Sequence, residues 1–412
     1  MEKKTCLYDR HVALGALMSP FGGFIMPIQY SNITDEHNAV RQHCGVFDVS
    51  HMGEVRITGP DAERYVQHIF TNDVTDAPLG QIYYGMMLYP NGGTVDDLLV
   101  YKMGDNDFFL VINAANIDKD VAWMQEQMEG FDINLDHQSD YYGQLAVQGP
   151  EAEAVVEEVL GLPCKELKFY TAKVVDKLTC KQVLEGSSVP LGRADKLTSK
   201  QVDKLTSKQV NKLAPEANNS STCQLLDSST EIIISRTGYT GEDGFEIYGS
   251  HAFIQQSWDK LMESGRCKPC GLGCRDTLRF EVGLPLYGDE LSADISPVMA
   301  GLSMFCKLDK EEFIGKEALV EQKANGVPQK LVGIELADKA IPRHGYAVLK
   351  DGEVIGEVTT GYHCLSVDKS VCMALIKTEY AKLGTELEVQ IRKKTFPGVV
   401  VKKKFYDKHY KK

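Results

Sequence analysis

Ile57-Thr58-Gly59-Pro60-Asp61-Ala62-Glu63 reads as a strand end, a glycine turn and the first turn of a helix, where proline and acids are favoured. Val147-Gln148-Gly149-Pro150-Glu151-Ala152-Glu153 follows the same order. The pair reads either as a duplicated α+β unit or as one turn chemistry that arose twice, and one pair does not separate the two. Outward from it, residues 1–175 alternate short apolar runs with polar turns and helical stretches, and residues 230–290 are again compact sequence. After about residue 330 the pattern becomes strand and turn. Leu331-Val332-Gly333-Ile334-Glu335-Leu336 is one strand, and Tyr346–Leu349 and Val354–Gly356 form a hairpin through Asp351-Gly352. Further strands are expected near 369–376, 386–393 and 397–404, giving a small β-barrel or sandwich.

The chain has 412 residues, enough for two or three domains. Apolar residues make up 43% and charged residues 25%, an ordinary globular balance. A net charge of -13 argues against a nucleic-acid binder. No apolar run approaches the ~20 residues that cross a bilayer. The start, Met1-Glu2-Lys3-Lys4-Thr5-Cys6, shows neither a signal core nor an Arg-rich presequence, so the expected location is cytoplasmic. Eleven scattered cysteines suit reduced thiols.

Residues 176–228 differ from the rest. Asp176-Lys177-Leu178-Thr179-Cys180-Lys181-Gln182-Val183 recurs as Asp195–Val202 and Asp203–Val210, a period of eight that fits neither helix nor strand. The expectation is a surface insertion dispensable for chemistry.

The sharpest candidate for chemistry is Asn91-Gly92-Gly93-Thr94-Val95-Asp96-Asp97-Leu98-Leu99-Val100-Tyr101, a hairpin turn entering a strand. Alternation puts Val95, Asp97, Leu99 and Tyr101 on one face and Asp96, Leu98 and Val100 on the other. One carboxylate should then point inward, where an apolar setting raises its pKa and lets it hold or move a proton. Periodicity alone favours the plainer reading, in which both acids cap the turn, since turn acids are common. In Ser235–Glu246 glycines recur every three residues without a phosphate-loop lysine. There a buried Glu246 could grip an amidine-like edge, or the stretch could be a turn with solvated acids. Arg275 and Arg279 lie four apart on one helical face, as an anion site or as partners of Asp276 and Glu281. Cys267, Cys270 and Cys274 lack a clear fourth ligand, so no metal is expected. His51 is a general base or a structural histidine, and Met52 covers a flat ligand or packs in a core. The basic end, Lys402–Lys412, is a solvated tail or attracts a polyanion.

Taken together, Gly45–Glu54, the Asp96-Asp97 hairpin, Val111–Asn116, Arg236–Glu246 and Gly271–Arg279 resemble the T-protein family, the aminomethyltransferases of glycine cleavage. The resemblance spans nearly the whole chain outside 176–228. It implies an α+β, three-lobed cloverleaf of two folate-binding lobes, intertwined over 1–290, a connector over 291–328 and an antiparallel β-barrel over 329–412. It implies transfer of the methylene of an aminomethyl group on lipoylated H-protein to tetrahydrofolate, releasing ammonia. Association with glycine decarboxylase (P-protein) and dihydrolipoamide dehydrogenase (L-protein) follows, with no nucleic acid or membrane partner. The family's catalytic Asp falls on Asp97, its pterin-gripping Glu on Glu246 and its folate-binding Arg on Arg275. Tyr84, Tyr101, Asn113, Tyr239 and Met52 match pocket positions, and Tyr410 a terminal tyrosine near the cofactor.

Met304 stands where the family often has Trp, Cys274 where Ala is usual, and Leu284 where some relatives carry an aromatic. Two other functions share this fold. A demethylating enzyme of N-methyl amino acids usually adds a flavin domain, and no dinucleotide-type glycine segment is present. A non-enzymatic folate-binding protein of iron–sulfur assembly carries Lys-Gly-Cys, whereas Phe313–Leu319 holds no Cys.

Overall fold

The computed structural model describes residues 2–175 and 230–410, so the insertion expected at 176–228 lies outside the described residues. Three short strands open the chain, β1 (Lys3–Lys4), β2 (Leu17–Phe21) and β3 (Phe24–Gln29), with helix α1 (Tyr8–Ala13) between the first two. Helix α2 (Ile33–Gln42) starts where the Asn32 side chain accepts the Asp35 N–H at 2.9 Å.

The two look-alike segments sit at equivalent places in two lobes. In the first, β5 (Gly53–Thr58) leads into α3 (Ala62–Ile69). Then come β6 (Ile82–Leu88), β7 (Thr94–Gly104), β8 (Asp107–Ile112), α4 (Ile117–Glu126) and β9 (Asn134–His137). In the second, β10 (Gly143–Gln148) leads into α5 (Ala152–Leu160). Then come β11 (Ala172–Val175), β12 (Ile232–Ser235), β13 (Gly244–Gly249), α6 (His251–Ser264) and β14 (Lys268–Pro269). The sheet orders are β6-β7-β8-β5-β9 and β11-β12-β13-β10-β4-β14, identical once β4 (Gly45–Asp48) is recognised as a strand wedged between β10 and β14. The turn glycines agree too: Gly59 has φ +124° and Gly149 φ +128°, and a Cβ would meet backbone oxygen at 2.7 Å and 2.4 Å respectively. Shared element order, sheet order and turn geometry favour duplication over coincidence.

The inner faces of the two sheets pack on each other. Tyr101, Phe109 and Val111 of the first lobe meet Tyr142, Ile233 and Tyr248 of the second, with edge-to-face rings 5.9 Å apart for Tyr101 and Tyr248. The outer faces bury the helices, α3 and α4 over one sheet and α5 and α6 over the other.

Helix α7 (Leu272–Glu281) joins the lobes to the connector, which carries α8 (Lys316–Asn325). The barrel follows: β15 (Gln329–Leu336), β16 (Ala347–Lys350), β17 (Glu353–Cys364), β18 (Lys369–Lys377), β19 (Glu386–Ile391) and β20 (Lys394–Val401), closed in the order β15-β18-β17-β16-β19-β20. It is a barrel and not a sandwich. The expected last strand at 397–404 instead runs Lys394–Val401. Beyond it the chain is pulled off the barrel, because the Phe405 and Tyr406 N–H groups donate to the Glu281 carbonyl at 2.9 and 2.8 Å. The basic end is therefore docked and is not a solvated tail. Among the described residues no helix is long and apolar enough to cross a membrane.

Arg279 pins α7 to the barrel. Its side chain is 1% exposed and bonds Asp276 at 2.6 Å, Glu290 at 2.8 Å and Thr360 at 3.2 Å, while Glu290 accepts from Thr359 and Thr360. Removing one partner of such a group strands a buried charge at a cost of about 3–5 kcal/mol. Arg279→Leu should lower unfolding stability by about that amount in a urea titration. A loss below about 1 kcal/mol would show that the seam does not depend on the pairing.

Candidate active site

A cavity of about 750 Å³ opens where the two sheets, α7, the connector and the chain end converge. Asp97, Tyr84, Asn113, Tyr239, Glu246, Arg275, Met52 and Tyr410 all line it.

Strand β7 delivers Asp97. The strand does not alternate as the sequence suggested. Thr94 pairs with Leu88 and Asp96 with Met87, leaving Val95 as an extra, bulged residue. Val95 therefore packs with Leu98 and Val100 against the helices instead of sharing the Asp97 face. On this central strand Asp96 is withdrawn into the core, whereas Asp97 is half-buried at the cavity. Asp96 is fully buried and accepts the Asn113 N–H and the Asn113 and Asn116 amides at 2.7 to 2.9 Å. Asp97 faces the cavity. The Tyr84 hydroxyl donates to one of its oxygens at 2.9 Å and the Asn113 amide to the other at 3.1 Å. Burial, then the neighbouring Asp96 charge, push its pKa up to about 7.

Glu246 comes from β13. Its carboxylate accepts from the Gln144 amide at 3.1 Å and from the Thr237 hydroxyl at 2.5 Å, and burial raises its pKa. The acids before it are not solvated. Asp243 holds Arg236 at 2.9 and 2.6 Å, and Glu242 holds Arg41 at 2.9 Å. Gln144 spends its amide N–H groups on Glu246 and on Tyr248, and its buried carbonyl oxygen has no partner among the described residues.

Arg275 and Arg279 do not act as a pair. Arg279 turns into the barrel seam, while the Arg275 guanidinium lies 4.5 Å over the Tyr239 ring. Among the described residues no carboxylate forms an ion pair with Arg275. Glu281, its expected neighbour, binds Arg41 at 2.9 Å. Tyr410 stacks on Phe169 with centroids 4.2 Å apart and closes one end of the cavity. Lys402, Lys403, Lys404 and Lys408 stand at the same place.

Tyr101 does not line the cavity. It is fully buried one layer behind, with its hydroxyl 2.8 Å from that of Tyr248. His51 also lies off the cavity, against Phe21 and Phe24, and burial followed by the Arg275 charge lowers its pKa to about 3. It stays neutral and does not reach the cavity as a base. The three cysteines do not converge. Cys267 joins one apolar core with its sulfur 3.2 Å from that of Cys44, while Cys270 and Cys274 belong to another core. Sequence reasoning missed Gln144, Phe169, Tyr170 and Leu286 in the cavity wall. Gln144 had left a signal, a polar residue inside the apolar run Gly143–Val147.

The comparisons with known proteins agree with this architecture. Residues 7–184 and 200–310 match the GCVT N-terminal domain, and residues 329–407 match the glycine cleavage T-protein C-terminal barrel domain. An aminomethyltransferase of Lysinibacillus sphaericus is 45% identical over 98% of both chains, and one of Alkaliphilus oremlandii is 44% identical over 100% of this chain and 99% of its own. The crystal structure of the glycine cleavage system aminomethyltransferase T from Bartonella henselae superposes with a TM-score of 0.83 at 28% identity, covering all of both chains. The lobes and barrel are those of a family whose aminomethyltransferases are folate-dependent in general. The chain belongs to the glycine cleavage T-protein family of aminomethyltransferases. Neither the demethylating nor the iron–sulfur alternative is favoured by these likenesses.

The raised pKa of Asp97 has a consequence for stability. An acid whose folded value lies above its unfolded one binds its proton more tightly when folded. Its contribution is present in full below about pH 4 and is lost as pH rises through about 7. Asp97→Asn removes that loss. The variant should melt above the wild type at pH 8 and approach it at pH 5. A gap independent of pH would show that Asp97 does not titrate in this window.

Proposed function

We propose that the cavity binds tetrahydrofolate and that Asp97 handles the proton when an aminomethyl group arrives on the lipoyl arm of H-protein. The products are ammonia, 5,10-methylenetetrahydrofolate and dihydrolipoyl H-protein. P-protein and L-protein act before and after this step. The observation that carries the reading is Asp97 itself, a carboxylate in the cavity wall with a proton affinity near neutrality and two donors fixing its direction.

The lining suits the co-substrate. The Gln144 carbonyl oxygen and the Glu246 carboxylate are neighbouring acceptors on one wall, and the amino-pyrimidinone edge of a pterin carries adjacent N–H donors. Met52, Tyr84 and Tyr239 offer apolar and aromatic surface to a flat ring. Arg275 is a cation open to a carbonyl or carboxylate. The lysines near Tyr410 favour the anionic glutamate tail. Tetrahydrofolate supplies the two nitrogens that take up the one-carbon unit.

Of the two adjacent acids, Asp97 is the one suited to move a proton. Asp96 is occupied by three donors and closed off from the cavity, whereas Asp97 keeps an open side toward it. Near neutral pH Asp97 divides between its two protonation states, the condition for efficient proton transfer. Tyr84 and Asn113 hold it in place while it accepts a proton from an incoming ammonium and returns one to departing ammonia.

Asp97→Asn should bind tetrahydrofolate within about threefold of the wild type, since the amide preserves size, and lose at least ~100-fold in turnover. The assay supplies tetrahydrofolate and aminomethylated H-protein and follows ammonia and methylenetetrahydrofolate. Full activity in the variant refutes the assignment.

A further inference from the structure

Behind the cavity wall six side chains close a ring of hydrogen bonds. The Gln144 amide donates to the Tyr248 hydroxyl at 3.1 Å. Tyr248 meets the Tyr101 hydroxyl at 2.8 Å, and Tyr101 meets the Ser235 hydroxyl at 3.3 Å. Ser235 meets the Thr237 hydroxyl at 2.7 Å, and Thr237 donates to one Glu246 oxygen at 2.5 Å. The second N–H of Gln144 returns to the other Glu246 oxygen at 3.1 Å. Every member is at least nine-tenths buried.

The proton directions follow from the chemistry. A carboxylate donates nothing, so Thr237 and Gln144 must both donate to Glu246. Thr237 has then used its only proton and accepts from Ser235. Ser235 in turn accepts from Tyr101, and Tyr101 from Tyr248. Tyr248 accepts the remaining Gln144 N–H. The donors run out from the Gln144 amide in two branches, one direct and one through four hydroxyls, and both end on a single charge. In such a chain each bond polarises the next, and the buried carboxylate is matched on both oxygens. The arrangement also fixes the Gln144 amide. Its nitrogen serves two acceptors, so its oxygen is left with no donor in the protein.

We propose that Tyr101 and Tyr248, neither of which lines the cavity, are positioning residues that hold Glu246 and the Gln144 carbonyl oxygen in the one orientation that accepts a ligand's paired N–H groups. The proposal rests on the reading of Glu246 as the pterin-edge acceptor. It assigns Gln144 as a second acceptor on that edge. It also accounts for the facing phenols of Tyr101 and Tyr248 in the interface between the sheets, where phenylalanine would fill the same space.

The test is a double-mutant cycle on tetrahydrofolate KM and kcat, with Tyr101→Phe and Glu246→Gln singly and together. Tyr101→Phe should raise KM about tenfold, the loss of one net hydrogen bond, and leave kcat within about twofold. In the Glu246→Gln background the same change should raise KM by less than about twofold, because there is no carboxylate left to orient. An equal rise in both backgrounds, or none in the wild type, overturns the proposal while leaving the pterin-edge reading standing. An unchanged KM in Glu246→Gln alone overturns that reading and the proposal with it. Ser235→Ala breaks the ring at another link and should give the same pattern. It replaces Tyr101→Phe if that variant does not fold.

Discussion

Two β-sheets packed face to face exclude water from their shared seam, and every polar group at the cavity lives under that constraint. A carboxylate there must be matched by donors or must hold a proton. Asp96 is matched three times over. Glu246 is matched on each oxygen by a chain that runs back into the interface. Asp120, fully buried next to Asp96 with only the Lys119 ammonium at 3.6 Å and no hydrogen bond, takes the other course, and burial followed by the Asp96 charge raises its pKa to about 11. Asp97 sits between these cases. Two donors hold it, its third side opens on the cavity, and its proton affinity falls near neutrality. Burial thus leaves Asp97 titrating at the cavity while Asp120, on α4 over the outer face of the same sheet, keeps its proton.

Duplication places the seam where it can serve a ligand. Each lobe alone would expose one face of its sheet. Two lobes of the same order bury those faces against each other over Tyr101, Phe109, Ile233 and Tyr248. Where the faces part, they leave a cavity walled by a strand from each lobe: β7 gives Asp97 and β13 gives Glu246. Helix α7, the connector and the docked chain end close the remaining sides. Arg279 therefore matters to the site without touching it, because it holds α7, and with it Arg275, against the barrel.

Much of this was legible in local patterns. The paired Gly-Pro turns raised a duplicated unit without deciding it, and the strand-and-turn pattern around Asp351-Gly352 announced the last domain. The resemblance pointed to Asp97, Glu246, Arg275, Tyr84, Asn113, Tyr239, Met52 and Tyr410, all of which face one cavity. What was not legible depends on contacts between distant segments. Strict alternation on β7 failed because the register slips at Val95, and a bulge is set by the partner strand as much as by the bulged one. Tyr101 falls on the cavity side of its strand, but the second sheet covers it. Arg275 and Arg279 share a helical face only to within one turn, enough for one to reach the cavity and the other the barrel. The basic chain end looked solvated because nothing in its own composition reports that Glu281 and Gly241 carry free carbonyls to receive it.

Burial of the site has a further consequence for how specificity is built. Paired acceptors in a dry wall are costly when no donor faces them, so a ligand that brings the matching N–H groups relieves a penalty as well as making bonds. A flat molecule lacking them leaves Glu246 and the Gln144 oxygen unmatched and is rejected more strongly than its lost contacts suggest. Such discrimination works only if the acceptors cannot turn away to find other partners. Thr237 and the Gln144 amide hold Glu246 directly, while Phe109, Ile233 and Val111 around them offer no hydrogen bonds from their side chains. The phenols of Tyr101 and Tyr248 supply that restraint from outside the cavity, which leaves the cavity surface itself free for the ring of the ligand.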